Sequence, residues 1–87
     1  MTHALALEVA RFGITVNAVA PGWIETGASL EYERAAARFT PIGRAGRPSE
    51  VAAAVNFLAS EEASYVNGIL LVVDGGNVIQ EQKVQMK

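Results

Sequence analysis

The sequence contains no cysteine and a single histidine, His3. Disulfide bonds are therefore excluded, and a zinc site of the His/Cys type cannot be assembled from this chain. Asp74 stands beside Gly75 and Gly76, a pattern that is more typical of a turn than of a metal ligand. We therefore expect no metal site.

Charge and long apolar runs are also scarce. Charged residues make up 18% of the chain and the net charge is −2, without the basic face that a phosphate backbone requires. No segment approaches the roughly 18 consecutive apolar residues that span a bilayer, and the N-terminus lacks the features of a signal peptide. We expect a cytoplasmic protein that binds neither nucleic acid nor a membrane.

Apolar residues, by contrast, are abundant. Hydrophobic residues make up 51% of the chain, which is enough to require a core. A single domain of 87 residues is nevertheless small, because folding at this size buries only roughly 60–65% of the surface of the unfolded chain. With neither disulfide nor metal, something else is expected to complete the core.

Two segments have the composition of strands that are covered on both faces. Residues 14–20 are rich in β-branched side chains and are followed by Pro21 and Gly22. Residues 69–73 form an uninterrupted apolar run that ends at Asp74. Such runs are typical of parallel sheets, in which both faces are buried.

Helical patterns surround these two strands. Residues 2–12 carry apolar side chains at helical spacing before Gly13, residues 32–39 form a short amphipathic pattern, and Pro48 begins the clearest helix. The first helix has no capping residue before it, so we expect it to be already under way at Met1.

The order helix, strand, helices, strand predicts one right-handed crossover unit with parallel strands, which is an α/β fold. A two-stranded sheet is marginal in water, and strands this apolar need neighbours on their edges and helices on both faces. The chain is therefore expected to form one margin of a larger sheet and to be incomplete as a domain.

Ligands of open α/β sheets bind beyond the carboxyl ends of the strands, which here is the segment 21–26. Pro21 fixes the exit of the chain from the strand, and Gly22 allows the backbone to come close to a flat ligand. Exposed N–H groups of the segment, together with the Thr26 hydroxyl, can hydrogen-bond a carboxamide or a phosphate. The alternative is that Pro-Gly only turns the chain. For Trp23, stacking on a ligand and a packing role stay equally open, and Arg44 is either solvated or a phosphate contact.

Five segments carry motifs that resemble, in order, the C-terminal third of the short-chain dehydrogenase/reductases (SDRs): residues 17–26, 41–52, 57–60, 63–68 and 72–76. The type it most resembles includes ketoacyl-carrier-protein reductases and sugar or alcohol dehydrogenases. This resemblance implies the C-terminal portion of a Rossmann-like, doubly wound parallel sheet. Residues 1–76 would belong to that domain, and residues 77–87 would form a polar tail.

The resemblance also implies a cofactor, NAD or NADP, and a small alcohol or carbonyl substrate. Pro21 and Gly22 match the motif that shapes the nicotinamide pocket. Ile24 falls where the family's backbone binds the nicotinamide carboxamide, and Thr26 falls where a hydroxyl contacts the carboxamide or the phosphates. Residues 27–40 match a mobile lid over the substrate.

Assembly surfaces follow from the same resemblance. The helix that begins at Pro48 and the strand 69–73 correspond to surfaces through which such enzymes form dimers and tetramers. Homo-oligomers, or association with full-length SDR proteins, are therefore expected.

Two motifs of the family are missing from the sequence. The glycines never take the Gly-x-x-x-Gly-x-Gly spacing of the nucleotide turn, and neither Tyr32 nor Tyr65 is followed four residues later by lysine. The family's tyrosine transfers the proton, and its lysine lowers the tyrosine's pKa. We expect no catalytic residue in this chain, which would begin just downstream of that pair.

Three hypotheses follow. The chain is the C-terminal piece of an NAD(P)-dependent short-chain oxidoreductase that is inactive alone, with NAD(P) binding by this piece doubtful. Alternatively, it is a non-catalytic interaction module that docks on full-length SDR proteins. The third hypothesis is that it has no function and is degraded.

Overall fold

A computed structural model of the chain describes residues 1–27 and 30–80. The elements are helix α1 (Thr2–Val9), a 3-10 turn (Ala10–Phe12), strand β1 (Ala18–Pro21), helix α2 (Glu31–Ala37), helix α3 (Pro48–Leu58), a 3-10 turn (Glu61–Ala63) and strand β2 (Leu70–Val73). The two strands pair in parallel, with Ala18 opposite Leu70 and Pro21 opposite Val73. The predicted α/β fold with a parallel crossover is confirmed, as part of a Rossmann-like sheet.

Two of the predicted helix boundaries are confirmed in detail. Gly13 follows the first helical segment with a φ of 76°, in the left-handed region that glycine adopts without strain. Pro48 occupies the first turn of α3, where its missing N–H costs no hydrogen bond. Glu50 accepts a hydrogen bond from the N–H of Arg47 at 2.8 Å and so caps the same helix.

Strand β1 begins later than the apolar pattern predicted, at Ala18 rather than at residue 14. The N–H of Val16 donates to the side-chain Oδ1 of Asn67 at 3.0 Å, and the carbonyl of Val16 accepts from the N–H of Gly68 at 2.9 Å. A side chain thus takes the place of a backbone partner here, which is why the regular ladder has not yet started.

Asn17 joins the same two segments from the other side. Its Oδ1 accepts a hydrogen bond from the N–H of Ile69 at 3.1 Å, and its Nδ2 donates to the carbonyl of Val66 at 3.1 Å. The first regular bond of the ladder follows at once, from the N–H of Ala18 to the carbonyl of Ile69 at 3.0 Å. Asn17 therefore sets the register in which the strands enter the sheet.

Helix α3 packs on one face of this small sheet. The side chains of Leu71 and Val73 are half-buried, whereas those of Leu70 and Val72 are 60% and 42% exposed. We call Leu70 and Val72 the open face of the sheet. The apolar pattern predicts a strand that is covered on both faces within a larger sheet; in the described residues a helix covers only one side of β2, and its other face is exposed.

The core of the described residues is correspondingly small. Its buried apolar residues are Ala6, Ala37 and Ala63, and no large side chain is fully buried in this part of the chain. Alanine contributes little apolar area, so these contacts supply little of the hydrophobic free energy that usually stabilises a domain. Within residues 1–27 and 30–80, no helix has the length and hydropathy that a membrane crossing requires.

The predicted polar tail is described only in part. Residues 77–80 are helical, and the side chain of Asp74 accepts hydrogen bonds from the N–H groups of Gly76 and Val78, both at 2.9 Å. Asp74 thus caps a helical turn, which is the turn-forming role expected of it. Residues 81–87 lie outside the described residues, as do residues 28 and 29 of the predicted lid.

We predict that Asn17→Ala lowers the free energy of unfolding by about 1–2 kcal/mol, because it leaves the N–H of Ile69 and the carbonyl of Val66 without their partner. Urea denaturation followed by circular dichroism measures the change. Asn56→Ala is the matched control, since Asn56 is exposed in α3 and alanine favours the helix. Equal destabilisation by both variants would contradict the role given to Asn17.

Candidate functional site

The candidate site lies where the carboxyl ends of β1 and β2 meet. The N–H of Gly22 donates to the carbonyl of Val73 at 3.0 Å, which continues the parallel pairing one residue beyond β1. A Cβ atom on Gly22 would lie 2.6 Å from the Cβ of Asp74, a distance at which atoms collide. Glycine is therefore required at this position because the two strand ends approach each other so closely.

Beyond Gly22 the chain forms an isolated parallel bridge between Ile24 and Gly46. The N–H of Gly46 donates to the carbonyl of Trp23 at 2.8 Å, and the N–H of Glu25 donates to the carbonyl of Gly46 at 2.8 Å. Successive residues of an extended chain direct their main-chain groups to opposite sides. The N–H and C=O of Ile24 therefore point away from Gly46, towards the other side of the segment.

The loop that carries Gly46 is held against the same edge of the sheet. The N–H of Ile42 donates to the carbonyl of Gly75 at 3.2 Å. Thr40 is buried, and its Oγ1 donates to the carbonyl of Ala37 at 2.9 Å while accepting from the N–H of Gly43 at 3.2 Å. These bonds tie the end of α2 to the loop and fix how the loop enters the site.

An ion pair closes the other end of this loop. The guanidinium of Arg44 donates to both carboxylate oxygens of Glu50, from Nη1 at 2.8 Å and from Nη2 at 3.0 Å. The hydrogen bonds from Arg44 and from the N–H of Arg47 lower the pKa of the Glu50 carboxyl to about 2. The hydrogen bonds to Glu50 and its negative charge raise the pKa of Arg44. Both side chains are about two-fifths exposed, so water screens the pair in part.

A cavity of about 100 Å³ lies between these parts, and it is lined by Trp23, Ile42, Arg44, Gly46, Glu50, Val73, Asp74 and Gly75. Pockets that enclose a small organic ligand usually measure about 300–1,000 Å³. The cavity formed by the described residues is therefore too small to enclose such a ligand.

The predicted site residues lie along one edge of this arrangement. Pro21 ends β1, Gly22 makes the close approach to Asp74, and Ile24 forms the bridge. Thr26 is exposed and follows the bridge by two residues. The structure thus brings Pro21, Gly22 and Ile24 together at the carboxyl end of the sheet, with Thr26 at the border of the site.

Sequence reasoning missed the Arg44–Glu50 pair. Arg44 was expected to be either solvated or a phosphate contact, yet its guanidinium is bound to Glu50 and to the carbonyl of Ala45 at 2.9 Å. The available signal was Glu50 itself, because a carboxylate three residues into a helix start is a capping position that attracts a nearby cation. Trp23 lines the cavity with 37% of its surface exposed.

Neither tyrosine of the chain lines this cavity. Tyr32 and Tyr65 are 69% and 101% exposed, and both lysines, Lys83 and Lys87, lie outside the described residues. In residues 1–27 and 30–80, no three His, Asp or Glu side chains are grouped so that they could hold a metal ion. What the arrangement can do is present main-chain donors and acceptors to a flat polar ligand.

We predict that the Glu50 carboxyl titrates with a midpoint near pH 2, and that Arg44→Gln raises this midpoint by roughly one pH unit or more. Because the folded pKa lies below the unfolded value of 4.5, the stabilisation from Glu50 is complete above about pH 4.5 and is lost as the pH falls through about 2. The Glu50 Cδ resonance in NMR spectra reports the titration. Arg38→Gln is the control, and an unchanged midpoint in Arg44→Gln would refute the assignment.

Comparison with known proteins gives the family of the chain. Residues 1–77 match the enoyl-(acyl carrier protein) reductase family. The chain is 48% identical over 85 residues to a galactitol 2-dehydrogenase (L-tagatose-forming) of Cereibacter sphaeroides. The aligned region covers 91% of this chain and 34% of that protein.

Two reductases show the same relation. The chain is 42% identical over 80 residues to the 3-oxoacyl-(acyl-carrier-protein) reductase MabA of Mycobacterium tuberculosis, with 87% of this chain and 32% of that protein covered. It is 49% identical over 79 residues to the 3-oxoacyl-(acyl-carrier-protein) reductase FabG of Vibrio cholerae, with coverage of 86% and 32%. The chain spans about a third of the length of these curated relatives. It belongs to the short-chain dehydrogenase/reductase family of oxidoreductases.

Proposed function

We propose that this chain is the C-terminal portion of an NAD(P)-dependent short-chain oxidoreductase and forms one wall of its nicotinamide site. The observation that carries the proposal is the bridge between Ile24 and Gly46, which leaves the N–H and C=O of Ile24 directed away from the loop. A carboxamide has one carbonyl acceptor and an NH₂ donor, so an adjacent main-chain N–H and C=O complement it.

The surrounding residues fit the same group. Gly22 has no side chain, so the two strand ends approach closely at the edge of the sheet and leave the backbone there uncovered. Pro21, which precedes it, is exposed. Thr26 supplies a hydroxyl at the border of the site, where we propose that it contacts the carboxamide or a phosphate. Bound NAD or NADP would supply or accept the hydride, and a small alcohol or carbonyl compound would be its partner in the reaction. The names of the relatives, a dehydrogenase and two reductases, support this class of substrate.

We further propose that the chain by itself is inactive. The sequence lacks the Tyr-x-x-x-Lys pair and the Gly-rich nucleotide turn of its family. The cavity of about 100 Å³ leaves most of a nicotinamide uncovered. The remaining walls, the substrate contacts and the proton-transferring group would come from the rest of a complete enzyme. The cytoplasmic location expected from the sequence stays a prediction.

NADH titrated into the ¹⁵N-labelled chain is expected to shift the amide signals of Gly22, Ile24 and Thr26, with a Kd on the order of 1 mM or weaker. No turnover of alcohol or carbonyl substrates is expected. Gly22→Ala should abolish the local shifts, because its Cβ would displace Asp74. Gly27→Ala is the control, since a Cβ there meets no atom within 4 Å. Micromolar affinity, turnover, or shifts that avoid this segment would count against the proposal.

A second candidate function is a non-catalytic module that docks on a full-length SDR protein or on a second copy of this chain. The open face favours it, because Leu70 and Val72 are exposed beside strand edges that no further strand of the described residues pairs. Covering a side chain of this size contributes about 1.5–3 kcal/mol. We propose that β2 docks through its open face and that α3, which packs on the other face of the sheet, forms a second docking surface.

Size-exclusion chromatography with a purified full-length FabG-type reductase tests the module. Docking predicts co-elution that is lost in Leu70→Glu and kept in Leu7→Glu, a control that is 80% exposed on α1. Elution of the chain at its own volume in all mixtures would contradict the module. A chain without a cooperative melt in circular dichroism would instead favour the third hypothesis, that it has no function.

A further inference from the structure

Glu50 is an anchored carboxylate rather than a free surface charge. It sits in the first turn of α3 and receives three hydrogen bonds, from Arg44 Nη1 at 2.8 Å, from Arg44 Nη2 at 3.0 Å and from the N–H of Arg47 at 2.8 Å. The positive end of the helix dipole adds to its stabilisation. The helix therefore holds the carboxylate in place, and the carboxylate holds Arg44 in place.

Arg44 in turn holds the backbone of the loop. Its Nη1 also donates to the carbonyl of Ala45 at 2.9 Å, directly before Gly46. A guanidinium that is bound through two nitrogens has a fixed plane, which a lysine ammonium does not have. The ion pair thus connects the start of α3 to the peptide group that leads into Gly46.

Gly46 connects the ion pair to the main chain around Ile24. Its N–H and C=O bind Trp23 and Glu25 on either side of Ile24, both at 2.8 Å. A Cβ on Gly46 would lie 2.9 Å from Cδ1 of Ile24, so the two segments are in tight contact. The position of the Ile24 main chain therefore depends on the position of Gly46.

We propose that Arg44 and Glu50 form a positioning pair, which acts through Gly46 to hold the N–H and C=O of Ile24 in the orientation that faces the cofactor. This inference rests on the proposed function, because that function is what gives the orientation of Ile24 its purpose. Arg44 and Glu50 both line the cavity, but in this role they act on the main chain rather than on the ligand. Their effect is to reduce the freedom of the main chain that contacts the ligand, which lowers the entropy lost on binding.

Amide hydrogen exchange measured by NMR tests the coupling without any cofactor. The N–H groups of Gly46 and Glu25 report the bridge, and those of Ala18 and Gly22 report the pairing of β1 with β2. Arg44→Gln is expected to speed exchange at the first two by roughly tenfold and to leave the other two unchanged. Arg44→Lys should restore part of the protection, because it keeps the charge without the planar fork.

Glu50→Gln separates the pair from simple helix capping. Glutamine can still accept the hydrogen bond from the N–H of Arg47, but it loses the charge that binds Arg44. The inference expects the same acceleration as in Arg44→Gln, and no further increase in the double variant. Arg38→Gln removes an exposed positive charge elsewhere and should change nothing at the bridge.

Several results would overturn the inference. The first is fast exchange of the Gly46 and Glu25 amides in the unaltered chain. The second is an unchanged exchange rate at these amides in Arg44→Gln or Glu50→Gln. The third is equal acceleration of exchange at Ala18 and Gly22, which would indicate general destabilisation.

The same variants are then titrated with NADH. A several-fold weaker response of the Ile24 amide in Arg44→Gln, but not in Arg38→Gln, supports the positioning role. A second outcome is that the Ile24 amide of the unaltered chain does not respond to NADH, while exchange at the bridge still depends on Arg44. The proposed function then fails, but the structural coupling between the Arg44–Glu50 pair and Ile24 is supported. If Ile24 responds equally in all variants, the proposed function stands and the positioning pair is refuted.

Discussion

The parallel pairing of β1 with β2 is the constraint on which the rest of the structure depends. It places Pro21 beside Val73, so that two chain exits share one edge of the sheet. The pairing tolerates no side chain at Gly22, because a Cβ there would collide with Asp74. Every residue of the candidate site is positioned relative to these two strand ends.

A second set of contacts, made by the loop between α2 and α3, fixes the main chain that follows β1. The loop after α2 is fastened by Thr40 at its start and by the Arg44–Glu50 pair at its end. Gly46, in the same loop, pairs with the segment around Ile24. This pairing gives the main chain that follows β1 an extended conformation and a defined orientation. Binding groups made of backbone need such support, because they have no rotamer of their own to hold them.

The apolar composition is explained by what the described residues leave uncovered. Their buried apolar residues are three alanines, while Leu70 and Val72 remain exposed on the open face. Relatives that are three times as long have further chain with which to cover such surfaces, and this chain spans about a third of their length. The small core, the partial cavity and the missing Tyr-x-x-x-Lys pair therefore agree with one another and with the proposal that the residues present form one side of a site.

The sequence by itself determined the type and order of the elements, the parallel strands, the glycine after the first helix and the family. These features follow from local composition and from motifs that are contiguous in the chain. Only the tertiary structure decided where β1 begins and which partner Arg44 takes. The first depends on bonds between Asn17 and Ile69 and between Val16 and Asn67, residues about 50 positions apart. The second depends on how a loop folds back on α3. The physical reason is that a polar side chain forms hydrogen bonds with whichever groups lie near it in space, and no local pattern of the sequence encodes which groups these are.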